Sequence, residues 1–437
     1  MCTVPAGLIA AGKKYLKFAG MEPKKKVIIV GGGFAGINLA KKLDTDQFDI
    51  TLLDKLNHHQ FQPLFYQVAT SQLEPTSISF PLRYVLKEKK EEIRIRLTKV
   101  NGVNPSSNTL RTSIGEFKYD ILVLAMGCGT NFYGNEELAR NALTLKTTYE
   151  AIAIRNHILC VFEKILTAPE EELEGLSNIV VVGAGPTGVE LAGAFAEIRK
   201  HMLPKDYKRI DFAKLRIILV EGTKYTLNTM SEMGRKYSRK YLEEMGVEIM
   251  TETLVRNYDG INLVLSTGQT IQTRTVIWAA GIQANTIEGL PKECLERGNR
   301  IRVDRINRIQ GFDNIFALGD MACMTTPKYP QGHPQLANVA INQAKNLARN
   351  LNGMSKGKEP VEFEYKDYGT MATIGENKAV VDLPFVRFRG FFAWLVWMFL
   401  HLMLILSVQN KLVIFIRWSW SYVTKNTALR IILRETE

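Results

Sequence analysis

Cysteine is scarce and scattered in this chain of 437 residues. The five cysteines are Cys2, Cys128, Cys160, Cys294 and Cys323, and no two of them are close enough for a C-x-x-C clip. This argues against a structural zinc ribbon or a redox dithiol, and we predict no metal site. Unpaired thiols favour a reducing compartment.

Extremes of composition are also missing. Apolar residues make up 46% of the chain and charged residues 23%, which excludes a mainly disordered chain, a collagen and a disulfide scaffold. The mean hydropathy of −0.06 excludes a polytopic membrane protein. The length predicts two or three domains. The net charge of +12 predicts an anionic partner, either nucleic acid or a phospholipid surface.

The last 53 residues favour phospholipid over nucleic acid. From Phe385 to Glu437, seven basic residues face two acids, and the stretch 391–408 is apolar except at His401 and Ser407. Apolar and basic character together, with several tryptophans, is typical of a segment that lies in a bilayer interface. Nucleic-acid binding would need a polar surface instead, so no nucleic-acid partner is expected.

Two other interpretations of this segment stay open. It could be a buried core helix, or a single span, since eighteen residues at 1.5 Å per residue cover about 27 Å. Farther along, polar residues are spaced by seven, four and three positions, which predicts one polar face on a second helix. They are Asn410, Arg417, Ser421 and Thr424.

Two apolar runs of β type each lead into a glycine turn of the form G-x-G-x-x-G. Val27–Val30 precedes Gly31, Gly33 and Gly36, and Ile179–Val182 precedes Gly183, Gly185 and Gly188. The first glycine makes the tight turn, the second lets backbone amides approach a pyrophosphate, and the third packs the helix on the strand. The pyrophosphate is then held at the N-terminus of the helix.

An acid follows each turn at the end of a second strand. Asp54 lies eighteen residues after Gly36, near the usual spacing of about twenty. Glu221 lies thirty-three residues after Gly188, so we expect an insertion around residues 201–211. A carboxylate there accepts hydrogen bonds from a ribose diol and repels a 2′-phosphate, which favours NADH over NADPH.

A third element repeats at nearly the same offset. A strand ending in Ala125–Gly127 comes 96 residues after Gly31, and one ending in Ala280–Gly281 comes 98 residues after Gly183. One domain type therefore occurs twice. The predicted fold class is α/β, with two Rossmann-like dinucleotide-binding domains and a C-terminal membrane-associating helical segment.

At this point the sequence resembles the two-dinucleotide-binding-domain flavoproteins, and among them the type II NADH dehydrogenases, single-subunit NADH:quinone oxidoreductases. The resemblance rests on both glycine turns, on Asn314–Asp320, on the segment 58–69, on Gly188–Gly193, on Ala337–Asn342 and on the basic, tryptophan-bearing end. The family motif has glutamines where this chain has Asn338 and Asn342. The resemblance implies an FAD-dependent, non-electrogenic enzyme that passes electrons from NADH to a membrane quinone.

The resemblance also implies roles for residues. Glu190 and Lys378 are the expected catalytic pair, although Glu190 could equally be a helix N-terminal carboxylate that interacts with the dipole. The residues expected at FAD are Gly31, Gly33, Phe34, Ala35, Gly36, Asp54, Lys55, Ala125, Gly127, Asp320 and Lys378. Those expected at NADH are Gly183, Gly185, Gly188, Glu190, Glu221, Ala280 and Gly281. Those expected at quinone are Ala337, Asn338, Asn342 and Gln343.

The implied domain order begins with an N-terminal extension, 1–23, of which the first twenty residues are expected to be dispensable. The FAD-binding domain is discontinuous and consists of residues 24–144 and 285–358. The NADH-binding domain, 145–284, is inserted between these two segments of the chain. A C-terminal region with membrane-surface helices covers 359–437. The expected location is peripheral, on the cytoplasmic face of the cell membrane. Anionic phospholipid is an expected partner, and homodimerisation stays open.

Sulfide:quinone oxidoreductase is the alternative enzyme, since it too is a membrane-surface flavoprotein. Cys128 and Cys160 fall where such enzymes can carry reactive cysteines, but that chemistry also needs a cysteine late in the chain, and none follows Cys323. A second alternative, from a different class, is a non-enzymatic, redox-sensing flavoprotein that uses its basic surface to bind nucleic acid or a partner and shows little turnover with quinone.

Overall fold

A computed structural model describes residues 23–87, 93–426 and 429–433 of the chain. The predicted N-terminal extension therefore lies outside the described residues, apart from position 23. Two five-stranded parallel sheets, each covered on both faces, form the centre of the protein.

The strands of the described residues are, in chain order, β1 Lys25–Val30, β2 Phe48–Asp54, β3 His58–Gln60, β4 Ser79–Pro81, β5 Ile93–Leu97, β6 Val100–Asn104, β7 Thr109–Thr112, β8 Gly115–Lys118, β9 Ile121–Leu124, β10 Cys128–Thr130, β11 Leu143–Thr144, β12 Asn178–Val182, β13 Arg216–Val220, β14 Val247–Met250, β15 Val255–Tyr258, β16 Asn262–Leu265, β17 Thr270–Gln272, β18 Thr275–Trp278, β19 Ile282–Ala284, β20 Leu295–Glu296, β21 Arg300–Arg302, β22 Ile315–Ala317, β23 Ala322–Cys323, β24 Thr370–Gly375, β25 Lys378–Asp382 and β26 Arg387–Arg389.

The α-helices of the same residues are α1 Phe34–Lys42, α2 Phe65–Ala69, α3 Leu82–Val85, α4 Glu136–Asn141, α5 Thr148–Ile165, α6 Glu170–Ser177, α7 Pro186–His201, α8 Leu203–Asp206, α9 Glu232–Glu244, α10 Ala337–Met354, α11 Phe391–Leu404 and α12 Val408–Thr424. Short 3-10 turns occur at Gln62–Leu64, Pro75–Ser77, Lys292–Cys294, Arg297–Asn299 and Gly319–Met321.

The first sheet has the strand order β22-β9-β1-β2-β5. Val27 and Ile29 of β1 point to one face and pack with helices α1 and α10. Ile28 and Val30 point to the other face, where they pack against the antiparallel β6-β7-β8 sheet. Because both faces are covered, β1 is a continuous apolar run and not an alternating one.

The second sheet repeats this plan with the order β11-β18-β12-β13-β14. Ile179 and Val181 of β12 pack with α5 and α7, while Val180 and Val182 pack against the antiparallel β15-β16-β17 sheet. The predicted duplication of one α/β unit is thereby confirmed. The extra residues before β13 are accommodated by the sixteen-residue α7 and by α8, where the first unit has the nine-residue α1.

Two short strands join the halves. Strand β10 follows β9 of the first unit, β19 follows β18 of the second, and the two pair with each other antiparallel, with Cys128 opposite Ala284. Strand β11 pairs with β18 of the second sheet, so the chain enters that sheet two residues before the predicted boundary at 145. The domain boundaries otherwise stay predictions.

The C-terminal region forms a small antiparallel sheet, β24-β25-β26, followed by helices α11 and α12. Ala393 of α11 packs on Ala379 and Val381 of β25. The apolar stretch 391–408 is not one helix, because α11 ends at Leu404 and Ser407 caps α12 by accepting the backbone N–H of Asn410. Within the described ranges, we find no helix with both the length and the apolar character needed to cross a membrane.

Candidate functional site

The first glycine turn leaves the N-terminus of α1 open. Gly31 has φ +109°, and a Cβ there would lie 2.2 Å from the Ala125 carbonyl oxygen. A Cβ on Gly36 would lie 1.8 Å from the Gly31 carbonyl oxygen, so strand, turn and helix are in close contact. Gly33, the N-cap, has open space beside it and no side-chain cap. The free N–H groups of α1 can therefore bind an anion.

The second turn has the same geometry. Gly183 has φ +101°, and a Cβ there would lie 2.7 Å from Cα of Ala280. A Cβ on Gly188 would again lie 1.8 Å from a carbonyl oxygen, that of Gly183. Gly185 caps α7 without a side-chain hydrogen bond and has open space beside it. Both turns are thus built to bring a pyrophosphate against a helix N-terminus.

The two predicted acids occupy equivalent positions. Asp54 accepts hydrogen bonds from the backbone N–H groups of Gly32 and, at 2.7 Å, Leu56. Glu221 accepts from Ala184 at 2.6 Å and from Thr223 at 2.7 Å. The donors correspond between the two units. In each unit, one donor is the residue that follows the first glycine of the turn, and the other is the second residue after the acid. Each carboxylate is therefore fixed beside its glycine turn, where a ribose would lie.

The first turn opens into a cleft with about 1180 Å³ of space. Gly31, Gly33, Phe34, Asp54, Lys55, Ala125 and Gly127 line this cleft. Ala35 and Gly36 are buried within α1. The open helix end, the fixed carboxylate and the cleft beside them fit FAD, as the sequence predicts. Burial raises the pKa of Asp54 above its usual value, against the two backbone N–H bonds that lower it.

Asp320 lies at the edge of this cleft. Its carboxylate accepts a hydrogen bond from the Cys128 thiol at 3.0 Å, and Cys128 lines the cleft. The side-chain oxygen of Gln343 accepts the neighbouring Gly319 N–H at 2.8 Å, and the side chain of Gln335 donates to the Asp320 carbonyl at 3.0 Å. Helix α10 thereby fixes the 3-10 turn that carries Asp320.

A second cavity, partly open to solvent, lies between α7, the β24–β25 turn and the two C-terminal helices. Its lining is mainly apolar and aromatic. The walls include Tyr66, Gln67, Glu190, Ala194, Glu197, His201, Ile374, Trp394, Trp397, Met398, Trp418, Tyr422 and Lys425. Such a cavity suits a flat, apolar ligand with a few polar groups.

Glu190 is the deeply buried acid of this cavity. Burial raises the pKa of Glu190 to about 8, although the backbone N–H of Thr373 and the nearby indole of Trp397 favour its charged form. The Trp397 indole does not complete a hydrogen bond of ordinary geometry. Burial also raises the pKa of Tyr66, with a further contribution from Glu190. A buried carboxyl that titrates near neutral pH is suited to hold and release a proton.

The predicted partner Lys378 lies near another acid. Lys378 and Lys425 favour the charged form of Glu197, which lies two helical turns after Glu190, and Lys378 is not among the groups that act on Glu190. The catalytic pairing of Glu190 with Lys378 stays a prediction. Sequence reasoning missed Glu197, and it assigned Trp397, Trp418 and Lys425 to the membrane-associating segment without predicting that they line a cavity. The one available signal was the spacing of seven between Glu190 and Glu197, which places both on one face of a helix.

The predicted quinone residues lie at the start of α10 and do not line the second cavity. Asn342 donates its side-chain N–H to the side-chain oxygen of Asn338 at 2.8 Å, so the two amides bind each other. Gln343 is fully buried under Gly319. Quinone contact by Ala337, Asn338, Asn342 and Gln343 stays a prediction.

The polar face of α12 is turned toward the protein. Asn410 donates to the carbonyls of Thr76 and Ser77, and Arg417 forms an ion pair with Glu74. The outward face is therefore apolar. Side chains exposed on α11 and α12 include Phe392 at 73%, Phe399 at 60%, Leu412 at 60%, Trp420 at 64% and Val423 at 80%. A buried core helix, the alternative left open above, is wrong for both helices.

Part of the basic charge near the C-terminus is neutralised within the protein. Lys425 pairs with Glu376, and Arg430 pairs with Asp206. Together with Arg417 these are three of the seven basic residues that favour an anionic surface. The apolar face therefore supports membrane contact more strongly than the charge does.

A scan against protein-family models matches residues 25–344 to the pyridine nucleotide-disulphide oxidoreductases and residues 368–425 to the NDH2 C-terminal domain. The chain is 33% identical over 422 residues to the type II NADH:quinone oxidoreductase Ndh of Mycobacterium tuberculosis, covering 92% of this chain and 89% of that protein. It is 29% identical over 366 residues to the type II NADH:quinone oxidoreductase of Staphylococcus aureus, covering 82% and 90%.

Solved structures give the same fold. NDH2 from Plasmodium falciparum in complex with NADH superposes with a TM-score of 0.86 at 21% identity, covering 94% of this chain and all of that one. The sulfide:quinone oxidoreductase of Aquifex aeolicus superposes with a TM-score of 0.70 at 19% identity, covering 89% and 92%. At these identities the likeness concerns the fold alone.

Proposed function

Because the chain belongs to the pyridine nucleotide-disulphide oxidoreductase family and, within it, to the type II NADH:quinone oxidoreductases, we propose that it oxidises NADH with bound FAD and reduces a membrane quinone. The observation that carries this is the duplicated glycine turn, in which one backbone geometry and one fixed carboxylate occur twice. Two such sites in one chain suit two dinucleotides that exchange electrons.

FAD, when bound in the first cleft, would supply the two-electron redox chemistry that links oxidation of NADH to reduction of the quinone. The residues of the chain bind and orient the reactants. The N–H groups beyond Gly33 and Gly185 would hold the two pyrophosphates, and the carboxylates of Asp54 and Glu221 would accept hydrogen bonds from the ribose hydroxyls. Ala280 and Gly281 follow β18 and would border the NADH site, where the Tyr133 hydroxyl donates to the Ala280 carbonyl at 3.0 Å. Glu190 holds a proton at the buried end of the second cavity.

The second cavity is the proposed quinone site. Its aromatic walls, Trp394, Trp397 and Trp418, come from the two helices whose outward faces are apolar. A quinone could thus pass from a bilayer into the cavity without crossing water. Asn338 and Asn342 keep the amide groups of the family motif. We propose that they contact the quinone where its path through the second cavity reaches the flavin.

The exposed faces of α11 and α12 are the proposed membrane contact. An apolar helix face turned away from the protein is unfavourable in water and favourable in the headgroup region of a bilayer. We place the protein on the cytoplasmic face of the cell membrane, with anionic phospholipid as partner. From there it would move no charge across the membrane, so the reaction is proposed to be non-electrogenic.

The structure offers little to the sulfide alternative. Burial and the adjacent Asp320 raise the pKa of Cys128 to about 12, which leaves a neutral thiol and a poor nucleophile. Cys160 is buried in α5. Neither has a disulfide partner among the described residues.

Anaerobic spectroscopy tests the proposal. NADH should bleach the purified yellow protein, and a soluble quinone analogue should restore the colour. Sulfide alone should leave the spectrum unchanged. A flavin that stays oxidised with NADH, or one that sulfide alone bleaches, would overturn the assignment.

A further inference from the structure

One face of helix α7 carries a row of titratable side chains along the second cavity. Glu190, Ala194, Glu197 and His201 follow one another at spacings of four, three and four, so they share a face. All four line the cavity. At 1.5 Å per residue, Glu190 and His201 are about 17 Å apart along the axis. The row therefore runs from the buried end of the cavity to the C-terminus of the helix.

Glu197 lies in the middle of this row with charged groups around it. Its carboxylate accepts the backbone N–H of Glu376 and keeps part of its surface open. Glu376, Lys378 and Lys425 are its charged neighbours. Burial, with a smaller contribution from Glu376, raises the pKa of Glu197 to about 7, against the two lysines and the N–H bond.

His201 lies at the outer end, where the side chain is partly exposed. The charged groups that act on it are Lys200, Glu376, Lys425 and Lys205. Burial and the nearby lysines lower its pKa. Tyr66, on the opposite wall, is acted on by both Glu190 and Glu197 and stays neutral because burial raises its pKa. The row thus connects a solvent-accessible end with the buried Glu190.

The proposed reaction needs such a connection. Reduction of a quinone to a quinol takes two electrons and two protons, whereas the hydride of NADH supplies two electrons and one proton. One proton per turnover must therefore come from solution and reach a cavity with mainly apolar walls.

Resting on the proposed function, we propose that Glu197 is a proton carrier, which takes this proton at the His201 end of the cavity and passes it toward Glu190 and the quinone oxygen. The carboxyl gains a proton from solution and releases it inward, and its own bonds are otherwise unchanged. The two carboxyls are about 10.5 Å apart along the helix, and the cavity that both line can hold water molecules to bridge this distance. Glu197 thus delivers the proton to Glu190 and does not itself contact the reacting quinone atoms.

A purely structural role for Glu197 is the competing explanation, since its carboxylate holds the β24–β25 turn. Glu197→Gln separates the two, because the amide oxygen can still accept the Glu376 N–H but cannot carry a proton. The expected result is a tenfold lower rate of quinone reduction at pH 6, with loss of the inflection near pH 7. Glu197→Asp should keep an inflection. Reduction of the flavin by NADH should be unchanged per bound FAD.

Glu243→Gln is the matched control, since that acid is exposed on α9 and pairs with Arg239. A second measurement does not need turnover: infrared difference spectra between pH 5 and pH 9 should show a carboxyl band that titrates near 7 and disappears in Glu197→Gln. Wild-type rate and inflection in Glu197→Gln would overturn the inference. So would wild-type spectra in which no carboxyl band titrates near 7. Wild-type protein that does not reduce quinone at all would instead contradict the proposed function.

Discussion

Trp418 donates its indole N–H to the side-chain oxygen of Gln67 at 2.8 Å, in a fully buried contact. The two residues are 351 positions apart and belong to α12 and α2. Gln67 in turn donates to the Tyr66 hydroxyl at 2.9 Å. This chain of bonds fixes the last helix to the wall of the second cavity, so the shape of the cavity depends on where α12 docks.

Trp418→Phe should loosen this docking. The ring remains, but the buried oxygen of Gln67 loses its donor, which costs about 1–3 kcal/mol. We expect a lower free energy of unfolding in urea and a severalfold higher KM for a quinone analogue. Trp420→Phe is the control, because Trp420 is exposed on the same helix. Equal effects of the two substitutions would show that the hydrogen bond is unimportant.

Glu190→Gln should slow quinone reduction and leave the FAD content intact. It should also change the dependence of stability on pH. The pKa of Glu190 is raised from 4.5 to about 8 in the folded protein. Protonation of Glu190 therefore adds to the free energy of unfolding, fully below pH 4.5, and this contribution is lost as the pH rises to about 8. Between pH 5 and pH 9, the free energy of unfolding of the variant should therefore rise by roughly 2 kcal/mol or more relative to that of wild type.

Urea unfolding at both pH values measures this difference. Glu197 titrates in both proteins, so its contribution to the pH dependence of the free energy of unfolding cancels when the two are compared. If stability varies with pH in the same way in both proteins, Glu190 is ionised in the fold across this range. If turnover with quinone is also unchanged, Glu190 has no part in the mechanism.

Glu221→Gln should admit NADPH. The amide keeps an oxygen that can accept the Ala184 or Thr223 N–H but loses the charge that repels a 2′-phosphate. We expect the ratio of kcat/KM for NADPH to that for NADH to rise about tenfold or more, measured by steady-state oxidation with a quinone analogue. Wild-type protein that uses both nucleotides equally well would refute this role of Glu221.

Phe399→Ser combined with Phe415→Ser should weaken membrane binding. Both rings are exposed on the outward faces of α11 and α12. At about 25 cal/mol per Å² of apolar surface removed from water, insertion of each ring into a bilayer contributes roughly 2 kcal/mol to the free energy of membrane binding. Co-sedimentation with phosphatidylcholine vesicles, with and without phosphatidylglycerol, should fall more than tenfold. Ile114→Ser, an exposed residue far from these helices in sequence, serves as control. Undiminished binding would place the membrane contact elsewhere.

Much of the fold could be predicted because both units carry their signals locally. The glycine turn after Val30 and the one after Val182 lie next to the strands that they follow, and a repeated offset needs no knowledge of long-range contacts. The family assignment built on these turns is confirmed by the comparisons. The roles of Asp54 and Glu221 stay predictions, although both acids lie where the turns require.

The second cavity could not be predicted in the same way. Its walls come from α2, α7, the β24–β25 turn and both C-terminal helices, and no short sequence pattern brings Tyr66, Glu197 and Trp418 together. The interpretation of α12 illustrates the difficulty. The spacing of Asn410 and Arg417 correctly predicts a polar face, but only tertiary contacts reveal that this face is turned inward.

The ribbon of β10 and β19 has a consequence for the independence of the halves. Each half contributes one strand, so separating them would leave two bare strand edges, each with unsatisfied backbone groups. Neither half is therefore expected to behave well as a stand-alone fragment.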